Sequence, residues 1–162
     1  MSTGSLGQGV SAACGMAKGA KMLGKNDIRI YTILGDGEIE EGQAWEAMMF
    51  ASQYDLNNLC VIIDVNGLQI DGKCSDVMSA EPIDEKVKAY ITIDGNDFDE
   101  LEKAFDAFHN SDKPFAIIMK TVKGKGVSYM ENAVGWHGKA PNTEEYEIAM
   151  AELNEALAEL EA

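Results

Sequence analysis

The amino-acid sequence predicts an α/β fold of three layers, α/β/α, around a mostly parallel sheet. Three observations carry that expectation. Two apolar runs, Ile28 to Leu34 and Leu59 to Val65, are rich in Ile and Val and bounded by Gly, Asp and Asn, the pattern of strands buried on both faces. Between them, Gly42 to Tyr54 carries Ala44, Trp45, Met48, Met49 and Ala51 at helical spacing, which makes a βαβ unit with parallel strands and a right-handed crossover. The amphipathic segment Phe98 to His109 and the apolar run Pro114 to Thr121 then repeat the helix-strand alternation. A chain of 162 residues fits one domain, 1–162, and is too short for two well-packed ones.

The remaining elements follow in order. The first nine residues, Met1-Ser2-Thr3-Gly4-Ser5-Leu6-Gly7-Gln8-Gly9, form a glycine-rich turn with no strand ahead of it. From Val10 to Leu23, small residues alternate with Met16 and Met22 on a helix-compatible pattern, so a closely packed helix ending near Gly24 is expected. Tyr90 to Asp94 adds one short strand. Lys123 to Pro141 holds four glycines and the Trp136-His137 pair without any period and reads as a long loop of the functional or mobile kind. Thr143 to Leu160 carries Tyr146, Met150, Leu153, Leu157 and Leu160 as an apolar stripe, giving a terminal helix expected to lie across the domain.

Composition narrows the function classes. Thirteen Lys and Arg against 28 Asp and Glu give a net charge of −15, a field that repels nucleic-acid backbones and anionic membrane surfaces. No apolar run approaches the ~20 residues of a membrane span, and 46% hydrophobic residues argue against disorder. The three cysteines, Cys14, Cys60 and Cys74, form no C-x-x-C pair, and no secretory leader pattern opens the chain, so a cytoplasmic location is expected.

In an open parallel sheet, ligands bind beyond the carboxyl ends of the strands. The first strand expected ends in Gly35-Asp36-Gly37 and the next in Asp64-Val65-Asn66-Gly67, so Asp36 and Asn66 emerge at one edge. One carboxylate and one amide oxygen do not make a zinc or iron site and are too few for a calcium cage. They suit Mg²⁺, which takes one or two protein oxygens, phosphate oxygens and water, with a backbone carbonyl of the Gly67-Leu68 turn as a third protein ligand. Such an ion also lets an acidic protein hold an anionic diphosphate. Each residue taken alone reads mostly as an ordinary turn former; the pair on successive parallel strand ends favours a site.

Other signals are weaker. Gly4-x-x-Gly7-x-Gly9 reverses the order of the dinucleotide fingerprint, and Gly124-Lys125-Gly126 lacks the ending of a P-loop. His109, near the carboxyl end of a helix, reads as a cap. His137 has two readings of equal weight, a phosphate or hydroxyl partner and a plain surface histidine. Glu38, Glu40 and Glu41 suit the positive end of the helix that follows, and Glu41 has a second reading as a residue facing a partner subunit.

These residues together resemble transketolase, in the carboxyl part of its thiamine-diphosphate-binding half. Four blocks carry the likeness in family order: Ser2-Thr3-Gly4-Ser5-Leu6-Gly7-Gln8-Gly9; Gly35-Asp36-Gly37-Glu38 through Glu41-Gly42-Gln43-Ala44-Trp45-Glu46-Ala47; Asp64-Val65-Asn66-Gly67-Leu68-Gln69-Ile70-Asp71-Gly72; and Lys120-Thr121-Val122-Lys123-Gly124-Lys125-Gly126 through Gly135-Trp136-His137-Gly138-Lys139-Ala140-Pro141. The resemblance implies a partial thiamine-diphosphate-binding fold in which Asp36, Asn66 and the carbonyl of Leu68 bind Mg²⁺. It implies that Gly37 and Asn66 contact the diphosphate, that Gly4, Ser5 and Leu6 line the cofactor, and that His137 touches the diphosphate and a sugar-phosphate substrate. Glu41 matches a glutamate at the family's subunit interface. The activity implied is transfer of a two-carbon ketol unit between sugar phosphates, the carbon chemistry being the cofactor's.

The family's upstream strands, its substrate-contacting histidines and its pyrimidine-binding domain have no counterpart in this sequence, and between Ala89 and Ile91 only Tyr90 stands where the family has several residues. The expectation is therefore an enzyme part that is inactive as an isolated chain and works as a homo-oligomer or with a complementary pyrimidine-domain subunit. Two alternatives stand beside it: a non-catalytic assembly or regulatory remnant of the fold, and another thiamine enzyme, either deoxyxylulose-phosphate synthase or the α subunit of a 2-oxo-acid dehydrogenase.

Overall fold

A computed structural model describes residues 4–161. The first helix, α1 (Gln8–Met22), precedes strand β1 (Ile30–Gly35), a 3-10 turn (Glu38–Glu40), helix α2 (Gly42–Gln53) and strand β2 (Leu59–Val65). Then come a two-stranded hairpin, β3 (Leu68–Gln69) and β4 (Gly72–Lys73), the short α3 (Cys74–Val77), and β5 (Tyr90–Asp94). Helix α4 (Phe98–His109), β6 (Phe115–Lys120), a second 3-10 turn (Val134–Trp136) and α5 (Thr143–Leu160) complete the chain.

The main sheet has the order β1-β2-β6-β5, and every pairing in it is parallel. Side chains alternate across a strand, so the two faces of β2 feed two cores. Leu59, Val61, Ile63 and Val65 pack with Val10, Ala13, Cys14 and Ala17 of α1 and Ala44, Ala47 and Ala51 of α2. Cys60 and Ile62 face the other way, onto Ala104 and Phe108 of α4 with Ile93 and Ile117. Small residues on α1 and α2 allow both helices to lie close on one face, while α4 alone covers the other. This is the expected three-layer α/β/α arrangement.

Local chemistry explains the boundaries. Asp97 caps α4 by accepting the N–H groups of Asp99 (2.8 Å) and Glu100 (3.2 Å), and the acids of that first turn suit the helix dipole. Asn142 and Glu145 form a reciprocal capping box at the start of α5. Strand β1 begins two residues later than the apolar run, at Ile30, where its N–H first reaches β2's flank at Asn58 O (2.8 Å). Strand β5 forms over the residues expected, in register with β6 from Tyr90↔Ala116 to Asp94↔Lys120, although only Tyr90 separates Ala89 from Ile91.

Three expectations need correction. The terminal helix α5 does not lie across the sheet layers. It docks on the loop before it, through Tyr129 Oη donating to Glu145 O (2.6 Å) and Ser128 N–H donating to Glu152 Oε2 (2.8 Å), and buries only Ala149. The apolar stripe of α5 misled because Leu153, Leu157 and Leu160 remain exposed. His109 is not a helix cap: its Nε2 pairs with the Tyr31 hydroxyl (2.9 Å), because β1 lies under the end of α4, and Asn110 Nδ2 bonds the helix carbonyl of Asp106 instead. Of the acidic group before α2, only Glu41 stands at that helix's positive end, as its N-cap residue without a side-chain cap bond, whereas Glu38 and Glu40 bond elsewhere.

Candidate functional site

Parallel pairing brings the carboxyl ends of β1, β2 and β6 to one edge, and the register fixes what stands there. Gly35 pairs with Asp64, and Asp64 with Met119; one step on, Asp36 N–H donates to Asp64 O (2.9 Å) and Thr121 N–H to Val65 O (3.2 Å). Asp36, Asn66 and Thr121 therefore leave adjacent strands side by side.

Asp36 is 6% exposed, a carboxylate taken almost wholly out of water. Its Oδ1 accepts Gly37 N–H (2.9 Å) and its Oδ2 accepts Gly67 N–H (2.6 Å), so the carboxylate rests directly against the Asn66-Gly67 turn. The expected convergence of the two strand ends is thus a contact between Asp36 and the residue after Asn66. No Lys, Arg or His forms an ion pair with Asp36 among the described residues. A buried anion held by two amide N–H groups and the Cys74 thiol, with no cationic side chain paired to it among the described residues, is a natural seat for a cation, because desolvation strengthens the attraction it offers.

Asn66 is oriented from both sides. Its Oδ1 accepts Leu68 N–H (3.1 Å), and its Nδ2 faces Asp64 Oδ1 (3.4 Å), which also accepts the Thr121 hydroxyl. The amide oxygen keeps a second lone pair for a further partner. Leu68 opens the β3–β4 hairpin, paired with Lys73, which fixes the turn that presents its carbonyl. One carboxylate, one amide and a backbone carbonyl are hard oxygen donors that fit Mg²⁺ with phosphate oxygens. Among the described residues, no group of three or more His, Cys, Asp or Glu side chains is arranged to hold a metal ion.

The other candidate residues stand further out. Gly4, Ser5 and Leu6 are exposed, and Met1 to Thr3 of the same glycine-rich block lie outside the described residues. His137 is exposed at the end of the second 3-10 turn, its N–H on Val134 O (2.9 Å), and its side chain forms no hydrogen bond with Asp36 or Asn66. Its neighbour Trp136 anchors the loop through Nε1–H to Tyr129 O (3.0 Å). Glu41 is exposed.

Sequence reasoning missed several participants. A cavity beside Asp36 is walled by Gly67, Lys73, Cys74, Ser79 and Glu81, residues of the hairpin and the segment after it. Burial, followed by the charge and hydrogen bonding of Asp36, pushes the Cys74 thiol up to about 11. Glu81 accepts from Lys120 (2.7 Å), which holds its carboxyl below the ordinary range. Glu38, Asp64 and Thr121 hold the strand ends in place. The D-x-N spacing of Asp64 and Asn66 was the one signal available for Asp64; Glu38 was read only as an acid at a helix's positive end, and nothing in the sequence placed Cys74 beside Asp36.

The fold and site define a parallel α/β domain that gathers a buried carboxylate, an amide and a glycine turn at the carboxyl ends of its strands. The family model described as "Transketolase, thiamine diphosphate binding domain" matches residues 1–156, and the chain belongs to that family. It is 41% identical to an apulose-4-phosphate transketolase subunit of Phocaeicola vulgatus, covering 99% of this chain and 59% of that one. It is 43% identical to human transketolase, covering 86% of this chain and 23% of that enzyme. The crystal structure of transketolase from Campylobacter jejuni superposes with a TM-score of 0.86 at 32% identity, over 93% of this chain and 25% of that one. The chain thus spans little more than half the length of the Phocaeicola relative and a quarter or less of the full transketolases.

Proposed function

We propose that this chain is the cofactor-binding part of a transketolase, holding Mg²⁺ and thiamine diphosphate for transfer of a two-carbon ketol group between sugar phosphates. The observation that carries the reading is the buried Asp36 carboxylate resting on the Asn66-Gly67 turn in a chain of this family. Asp36, the Oδ1 of Asn66 and the carbonyl of Leu68 hold the ion. Gly37, Asn66 and the segment Gly4, Ser5 and Leu6 contact the cofactor, which when bound supplies the carbon-carbon chemistry. The chain's own residues bind and orient it and hold the ion that neutralises its charge, the role left to a protein around a reactive cofactor. His137, free at the surface of its loop, reaches toward the diphosphate and the substrate. Glu41, equally free, faces a partner subunit.

The relatives in Phocaeicola vulgatus and Actinobacillus succinogenes are each named as one subunit of a transketolase, which supports a complementary subunit for this chain as well. We place the assembly in the cytoplasm; its buried free cysteines, Cys14, Cys60 and Cys74, suit a reducing compartment. Among the described residues no helix is long and apolar enough to cross a membrane.

The test is a coupled assay of the chain with its complementary subunit, Mg²⁺ and thiamine diphosphate. Xylulose 5-phosphate or apulose 4-phosphate is offered as donor with an aldose phosphate acceptor, and pyruvate as the donor of a different thiamine enzyme. Ketol transfer from a sugar phosphate, lost in Asp36→Ala and absent without the partner subunit, is expected. Turnover of pyruvate alone, or full activity in Asp36→Ala, contradicts the reading.

A further inference from the structure

The three residues of the first 3-10 turn point to three different parts of the molecule. Ile39 is fully buried in the core, and its carbonyl accepts Trp45 Nε1–H (2.7 Å), which fixes the turn in place. Glu40 Oε1 accepts Gln69 Nε2–H (3.2 Å) on the β3 side of the site. Glu38 divides its two oxygens: Oε1 accepts Gly7 N–H (2.9 Å) and Oε2 accepts Gly35 N–H (3.2 Å).

Among the described residues, neither N–H has another protein acceptor. Asp36 directs its N–H toward β2, so the alternation of a strand turns the N–H of Gly35 toward the free edge of β1. Gly7 is buried and precedes α1 as its N-cap, where the first amides of a helix have no intrahelical acceptor. Its φ of +79° and the 2.9 Å between its would-be Cβ and Glu41 Cβ show how closely the segment lies against the turn.

We propose that Glu38 is a positioning residue for the cofactor: its carboxylate clasps the glycine-rich segment, residues 4–9, to the strand end that carries Asp36. The clasp joins backbone 31 positions apart and sets the distance between the two walls of the site. The inference rests on the proposed function for what the segment holds, and not for the clasp itself. Glutamine in its place offers one carbonyl oxygen and turns an NH₂ group on the second N–H, so one amide loses its acceptor. Aspartate is one methylene too short to span both.

Amide hydrogen exchange on the full chain, without cofactor, reads the clasp directly. In the wild type, Gly7 exchanges more slowly than Ser5 and Leu6. In Glu38→Gln the segment exchanges about tenfold faster, the loss of one buried acceptor, while Glu40→Gln leaves it unchanged. Thiamine diphosphate affinity, measured by fluorescence quenching with Mg²⁺ and the complementary subunit, falls about tenfold in Glu38→Gln and Glu38→Asp, in line with the same loss. Gly7 exchanging as fast as Leu6 in the wild type overturns the clasp, and this readout stands even if the variants do not fold. A loosened segment with unchanged cofactor affinity overturns the positioning role and leaves the proposed function intact. A wild-type assembly that binds no thiamine diphosphate defeats the proposed function and the positioning role with it, yet the exchange comparison still reports the clasp.

Discussion

Single residues show where this chain tolerates no change. Gly124 has a φ of +75°, and a Cβ built there would stand 2.5 Å from Met130 O, a backbone atom that cannot swing aside. Gly124→Ala is therefore expected to cost at least about 2 kcal/mol, from left-handed strain plus the clash, read as a lower urea midpoint with an unchanged slope. Cysteines give a second expectation. Burial pushes the thiol of Cys60 from an ordinary 9.0 up to about 12, and that of Cys14 to about 11. Raised folded values favour the protonated thiol, so their contribution to stability is complete below about pH 9 and is lost as pH rises toward 11 to 12. Native protein at pH 8 should resist iodoacetamide at both positions and be alkylated at once in denaturant. Rapid alkylation of native Cys60 would contradict the burial of its side chain. Asp36 and Asn66 were legible in the sequence because a strand end places its next residue predictably. Glu38 was not, because its partners are backbone amides of glycines, which leave no side-chain pattern to read.

Elements were more legible where one period dominated. Strand β2 and helix α4 occupy the residues their patterns predict, since both faces of β2 are covered and α4 has a single apolar face over one core. Helix α5 has the same kind of stripe and a correct extent, but its packing was misread, because periodicity reports an amphipathic face and not what covers it. The β3–β4 hairpin was not foreseen, as two-residue strands carry no period at all. The long loop read from its glycines is a folded platform, with Trp136, Tyr129 and Ser128 tying it to itself and to α5. The capping box of α5 therefore bears on His137. Asn142→Ala is expected to cost about 1 kcal/mol and to speed amide exchange in the first turn of α5 and in residues 128–137, leaving β2 unchanged. Equal loss of protection throughout the sheet would contradict the docking of α5 on this loop.

At the scale of the whole molecule, three layers serve to deliver three strand ends to one edge, and in the proposed function the acidic chain takes up a cation there to hold an anionic cofactor. Strand order was enough to suggest that shared edge from the sequence; its remaining walls, built from the hairpin and the 3-10 turn, depend on contacts between distant segments. Substituting Asp36 removes the buried carboxylate at this edge, to which the proposed function assigns the ion. The most direct measurement is electron paramagnetic resonance of Mn²⁺, standing in for Mg²⁺, titrated into the chain with thiamine diphosphate and its complementary subunit. Binding of one ion per chain that depends on thiamine diphosphate, and is at least about a hundredfold weaker in Asp36→Ala and weakened in Asn66→Ala, is the result expected for a directly coordinated cation. Unaltered Mn²⁺ binding in both variants, or binding indifferent to thiamine diphosphate, would contradict it.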